Sequence, residues 1–91
     1  MKPAARFLLG RLLATPGALR EVPEPEIQVA LHRHARGDWG EVGEEDRIAN
    51  DEALSEGGRV LSAYVTDGGV RFWIITEADR SATTVLLPGE Y

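Results

Sequence analysis

Val60-Leu61-Ser62-Ala63-Tyr64-Val65-Thr66-Asp67-Gly68-Gly69-Val70-Arg71-Phe72-Trp73-Ile74-Ile75 decides the fold of this chain. Two apolar runs rich in β-branched and aromatic residues flank Asp67-Gly68-Gly69. A connection with two glycines suits a tight hairpin, because some turn positions require φ > 0. Thr83-Thr84-Val85-Leu86-Leu87 supplies a third run after the polar loop Glu77 to Ser81. Together they predict a meander of three antiparallel strands. Trp73, set in the most apolar strand, is expected to face a core.

Upstream of the meander the pattern is helical. Thr15-Pro16 pairs a good N-cap with a proline whose missing N–H a helix start leaves unpaired anyway, so a short helix runs from Pro16 to about Glu21. A second opens at Pro25, with Ile27, Ala30, Leu31 and His34 on one face, and Gly37 as its stop. A third spans about Glu44 to Glu56, ended by Gly57-Gly58. Ile48, Ala49 and Leu54 give it a thin apolar edge, which places it on the outside of the domain. Residues 6–14 read two ways: Leu8, Leu9, Leu12 and Leu13 would stripe a helix, and a continuous apolar run also suits a buried strand. With a strand there, the order is β-α-α-α-β-β-β. The expected fold is α+β: an antiparallel meander of three strands, joined by a fourth from the N-terminus, packed against two or three helices. Residues 1–91 read as a single domain without repeats or linkers.

Composition bounds the chemistry. The chain has no cysteine, which excludes disulfides, thiolate metal sites and a Cys nucleophile. Arg11 interrupts the apolar stretch Phe7 to Ala14, too short for a signal-peptide core, and nothing approaches the ~20 apolar residues of a membrane span. A soluble, cytoplasmic protein is expected. The net charge of −5 is uneven: residues 1–37 carry +3, residues 38–56 carry −7 and residues 57–91 carry −1. Such an acidic balance argues against direct nucleic-acid binding, which needs cations to displace phosphate counterions. The acidic block is either a solvated helix face or a surface aimed at a basic partner.

Arg33-His34-Ala35-Arg36-Gly37-Asp38-Trp39-Gly40, Arg59-Val60-Leu61-Ser62-Ala63-Tyr64 and Trp73-Ile74-Ile75-Thr76-Glu77-Ala78-Asp79-Arg80 resemble a family of small uncharacterised proteins, labelled plasmid-related or hypothetical, of bacterial plasmids and integrated elements. Thr15-Pro16-Gly17-Ala18-Leu19, Thr83-Thr84-Val85-Leu86-Leu87-Pro88 and Glu90-Tyr91 continue the likeness. The resemblance implies a mobile-element context and no activity, cofactor or catalytic residue.

The candidate functional residues fall into two groups. Asp38, Trp39, Glu45, Asp46, Asn50 and Glu52 form a candidate interaction surface. There Trp39 is either a core anchor or an exposed hot spot, and Asp46 and Asn50 share a helix face. His34, Arg59, Tyr64, Glu77, Asp79 and Arg80 form a candidate polar cluster, loosely like the basic and aromatic groups of a ribonuclease toxin. Paired carboxylates such as Glu77 and Asp79 do acid–base work only where burial separates their pKa values. His34 is expected to be partly buried at the helix end and bonded into the following turn. His32 and His34 point roughly 200° apart on a helix, so no metal and no cofactor is expected. No nucleophile elbow, phosphate loop or H-E-x-x-H pattern occurs. Two functions follow: a non-enzymatic interaction protein of a mobile element, with a basic protein partner, or a toxin of the RelE/ParE type. The acidic balance favours the first.

Overall fold

The computed structural model describes residues 5–91. The chain runs through β1 (Arg11–Ala14), α1 (Pro16–Glu21), α2 (Glu24–Ala35), α3 (Glu44–Glu56), β2 (Val60–Val65), β3 (Arg71–Thr76) and β4 (Ala82–Leu86), and closes on a 3₁₀ turn, Pro88–Glu90. The sheet order is β1-β4-β3-β2. The meander is antiparallel as expected, whereas β1 lies parallel to β4, with Arg11 beside Ala82 and Ala14 beside Val85. The sheet is therefore mixed. The three helices between β1 and β2 form the long crossover that lets two strands run in one direction.

Within the ambiguous run 6–14 only the last four residues are strand. Gly10 sits at φ 65 and breaks the extended conformation, and a Cβ there would collide with the Ser81 backbone. At the other end of β1, Thr15 caps α1 by accepting from the Ala18 N–H at 3.1 Å, with Pro16 at the first helical position. Its hydroxyl donates to Glu90 Oε1 at 2.5 Å, while the Gly17 N–H donates to Oε2 at 3.2 Å. The last turn is thereby tied to the first helix.

Alternation along the strands sorts the two sheet faces. Tyr64, Phe72, Ile74 and Val85 face the helices and pack against Ala18, Val22, Ile27, Ala30 and Leu31. A second cluster joins Trp39, Ala53 and Val60, with Phe7, Val42 and Leu54 against it. Trp73 departs from expectation. It has the opposite parity to Phe72 and Ile74, is half-buried, and stands on the far face between Ala63 and Leu86, its ring 5.7 Å from that of Tyr91.

The α3 helix also differs in detail. It lies outside, as its thin apolar edge predicted, but Ile48 is 46% exposed and Ala49 is exposed as well. Asn50 and Ala53 are buried instead. A polar residue takes the inward position because the edge of β2 needs hydrogen-bond partners. The Asn50 Nδ2 donates to the Leu61 carbonyl at 2.8 Å, and the Leu61 N–H donates to Asn50 Oδ1 at 3.0 Å. Two residues on, the Ala63 N–H donates to the Trp39 carbonyl at 3.1 Å and its carbonyl accepts from the Glu41 N–H at 2.6 Å. Gly40, at φ 74, permits this approach, since a Cβ would collide with the Ala63 carbonyl. The outer edge of β2 is thus occupied at Leu61 and Ala63.

Candidate functional site

His34, at the end of α2, is fully buried and reaches the sheet rather than the following turn. Its Nδ1 lies 2.5 Å from Ser62 Oγ and its Nε2 2.8 Å from Thr76 Oγ1. Thr76 Oγ1 is 2.7 Å from Thr83 Oγ1, which donates to the Leu9 carbonyl at 2.6 Å. That last bond orders the chain. Thr83 spends its proton on Leu9, so it accepts from Thr76; Thr76 then accepts from Nε2–H, and Ser62 donates to Nδ1. The imidazole is neutral with its proton on Nε2. Burial, and then the nearby Arg80 charge, lower its pKa to about 4. Phe7 and Trp39 meet the ring edge-on at 5.3 and 5.7 Å. The His34, Ser62, Thr76 and Thr83 side chains are all buried and all have partners, so the network is a satisfied polar element that specifies this part of the core.

The other predicted polar residues do not converge. Tyr64 is buried, donates to the Asp38 carbonyl at 2.7 Å, and has its phenol pushed up to about 12 by burial. Arg80 is a structural clamp. It adopts φ 62 and donates to the carbonyls of Gly58 at 2.6 Å, Ala53 at 3.1 Å and Glu77 at 3.1 Å. The guanidinium adds a charged donor to the Ala53 carbonyl, which already accepts from the Gly57 and Gly58 N–H groups, and its charge complements the negative end of the α3 dipole. Arg59 donates to the Tyr91 hydroxyl and lies over its ring. Glu77 and Asp79 are exposed in the β3–β4 turn, where the Ser81 side chain and backbone N–H lower the Asp79 pKa.

The predicted interaction surface divides. Trp39 is 4% exposed and donates from Nε1 to Asp51 Oδ1 at 3.0 Å, so it is the core anchor. Asn50 is buried on β2 and cannot share a solvent face with Asp46. The carboxylate of Asp38 accepts from Arg33 Nε at 2.8 Å and Nη2 at 3.2 Å, which lowers the Asp38 pKa and raises that of Arg33. Glu45, Asp46 and Glu52 remain exposed, and none of them joins a salt bridge among the described residues. Arg47 pairs instead with Glu44 at 2.5 Å and Asp51 at 3.3 Å. Helical spacing puts Glu45, Ile48, Ala49, Glu52 and Glu56 on one outer stripe, an apolar centre rimmed by carboxylates.

Two signals in the sequence pointed to what these patterns missed. Ser62 shares the strand parity of Val60 and Tyr64, and Thr76 that of Phe72 and Ile74, which placed both hydroxyls inside. The exposure of Ile48 had no such signal, because an apolar residue at helical spacing reads as core.

Two concavities lie beside these residues. One of about 270 Å³ lies between α2 and the β2–β3 hairpin, lined by Glu26, Val29, Arg33, Tyr64 and Phe72. Another of about 330 Å³ is lined by Arg6, Asp38, Trp39, Arg47 and Asp51. Both are near the lower bound for small-molecule sites. Among the described residues no three of His, Asp or Glu gather as a metal would require, and no helix is long and apolar enough to cross a membrane. No protein-family model, curated protein sequence or solved structure matches the chain.

Proposed function

We propose that this chain is a non-enzymatic interaction protein that binds a basic protein partner through the outer face of α3. The observation that carries the reading is Ile48, 46% exposed between Glu45 and Glu52, neither of which joins a salt bridge among the described residues. Interfaces concentrate affinity in a desolvated apolar centre and use the charged rim for orientation and association rate. The mobile-element setting rests on the family resemblance of the motif blocks. The toxin reading needs His34, Tyr64 and Arg80 to share an open cleft, and here the first two are buried and the third is committed to carbonyls.

The test is capture of partners on immobilised protein, wild type beside Glu45→Lys/Glu52→Lys and Ile48→Ala, at low and high salt. Rim charges act over a Debye length of about 8 Å at physiological ionic strength. The double reversal should therefore abolish capture of a basic partner at low salt, and Ile48→Ala should weaken it at every salt concentration. Retention of every partner by both variants would overturn the reading.

A further inference from the structure

The two edges of the sheet are finished differently. The β2 edge is occupied by Trp39, Glu41 and Asn50. Among the described residues, nothing pairs with the outer edge of β1. Arg11 and Thr15 donate their N–H groups inward to Ser81 and Val85, each at 3.0 Å, so the N–H and C=O groups of Leu12 and Ala14 point outward. Leu12 is 58% exposed, Leu13 42% and Leu19 66%. With Ala14, Val22 and Ile27 they line a groove of about 390 Å³ between this edge and the first two helices. An exposed apolar edge strand is a template for adding another strand.

We propose that the missing strand is β1 of a second copy, paired antiparallel across a two-fold axis at Leu13 to make one eight-stranded sheet. The geometry selects the register. A two-fold perpendicular to the sheet preserves its faces, so a residue must oppose one of the same parity. Centring on Leu13 sets Leu12 against the partner copy's Ala14, which joins the outward-pointing groups of both strands in hydrogen-bonded pairs. Centring on Leu12 would instead need Gly10 extended, and Gly10 has φ 65.

Side-chain chemistry fits the same register. Leu12 meets a small alanine beside the apolar groove, and Leu13 meets Leu13. Arg11, exposed and outside any salt bridge among the described residues, falls opposite Thr15 of the other copy, whose hydroxyl holds the Glu90 carboxylate. Self-pairing therefore brings a cation to an anion twice, once on each side of the axis. A four-residue strand with flanking leucines buries an area at the low end for specific interfaces, about 1,200 Å² in total. The dimer should accordingly dissociate on dilution. Because α3 packs on β2 at the opposite edge, a dimer would display two acidic faces at its far ends.

Sedimentation equilibrium over roughly three decades of concentration from micromolar upward reads the outcome as mass. Wild type should rise from one to two chain masses. Leu13→Arg and Leu13→Glu should each stay monomeric, and their equimolar mixture should dimerise, since only a register with residue 13 facing itself opposes those charges. Leu12→Pro removes an outward N–H without touching the β1–β4 ladder, and should abolish the dimer with an unchanged circular dichroism spectrum. A wild type that is monomeric throughout would overturn the proposal and leave the edge for a foreign strand. A dimer that survives both Leu13→Arg and Leu12→Pro would place the contact elsewhere and overturn it equally.

Discussion

Acid should weaken this fold through His34 before it does so through any carboxylate. The folded-state pKa is about 4, against an ordinary value near 6.5. Between those values the unfolded chain takes up a proton that the native imidazole refuses, so stability is full above pH 6.5 and falls as pH drops towards 4. The slope is about 1.4 kcal/mol per pH unit, for a total of roughly 3 kcal/mol. Full burial leaves no solvent screening to discount. Asp38, Glu44, Asp79 and Glu90 are held below their ordinary values, so their losses begin only near about pH 4 and below. The window from pH 6.5 to 5 belongs to the imidazole. Urea melts across it should show a loss of about 2 kcal/mol, a large share of the ~5–10 kcal/mol of a domain this size. His34→Gln keeps a donor and an acceptor but cannot titrate. It should start about 1–3 kcal/mol lower at neutral pH and show no slope there. Nitrogen chemical shifts should place the proton on Nε2. A wild type with level stability from pH 6.5 to 5, or a slope that persists in His34→Gln, would refute the buried proton chain.

Three further outcomes follow from the packing. Arg80→Ala should lower stability by about 1.5–3 kcal/mol, because charge-assisted bonds to three carbonyls are lost; an unchanged denaturation midpoint would show that the clamp is idle. Trp73→Ala, at a half-buried site under Tyr91, should cost about 2 kcal/mol, short of the 3–5 of a fully buried large aromatic, as chemical denaturation would report. Elemental analysis of tag-free protein should find well under one zinc per chain, since both ring nitrogens of His34 are engaged by hydroxyls; stoichiometric zinc lost in a His32→Ala variant would contradict this.

The elements were legible where local chemistry settles them. Thr15-Pro16 announced α1, Gly57-Gly58 ended α3, and Asp67-Gly68-Gly69 turned the hairpin. Element order, however, does not say at which sheet edge β1 inserts or in which direction, because the long crossover permits both. The site was less legible. Trp39 and Asn50 look alike whether they serve a partner or the edge of β2, and only the approach of Gly40 to Ala63 decides it. The buried chain from Ser62 to Leu9 joins residues far apart in sequence, which no spacing rule connects. Arg80 carries every mark of a functional arginine, and its role became visible only when α3 was placed beneath it.

The most direct test of the interaction account is site-specific photo-crosslinking. A photo-reactive residue at Ala49, exposed on the outer stripe of α3, should capture a basic protein in the producing cells. The adduct should weaken as salt rises and disappear in the Glu45→Lys/Glu52→Lys background. The same probe at Val29, 62% exposed on α2, should capture nothing in common with it. Adducts at Val29 but none at Ala49, or an Ala49 adduct indifferent to both salt and charge reversal, would contradict the assignment of the α3 face as the binding surface.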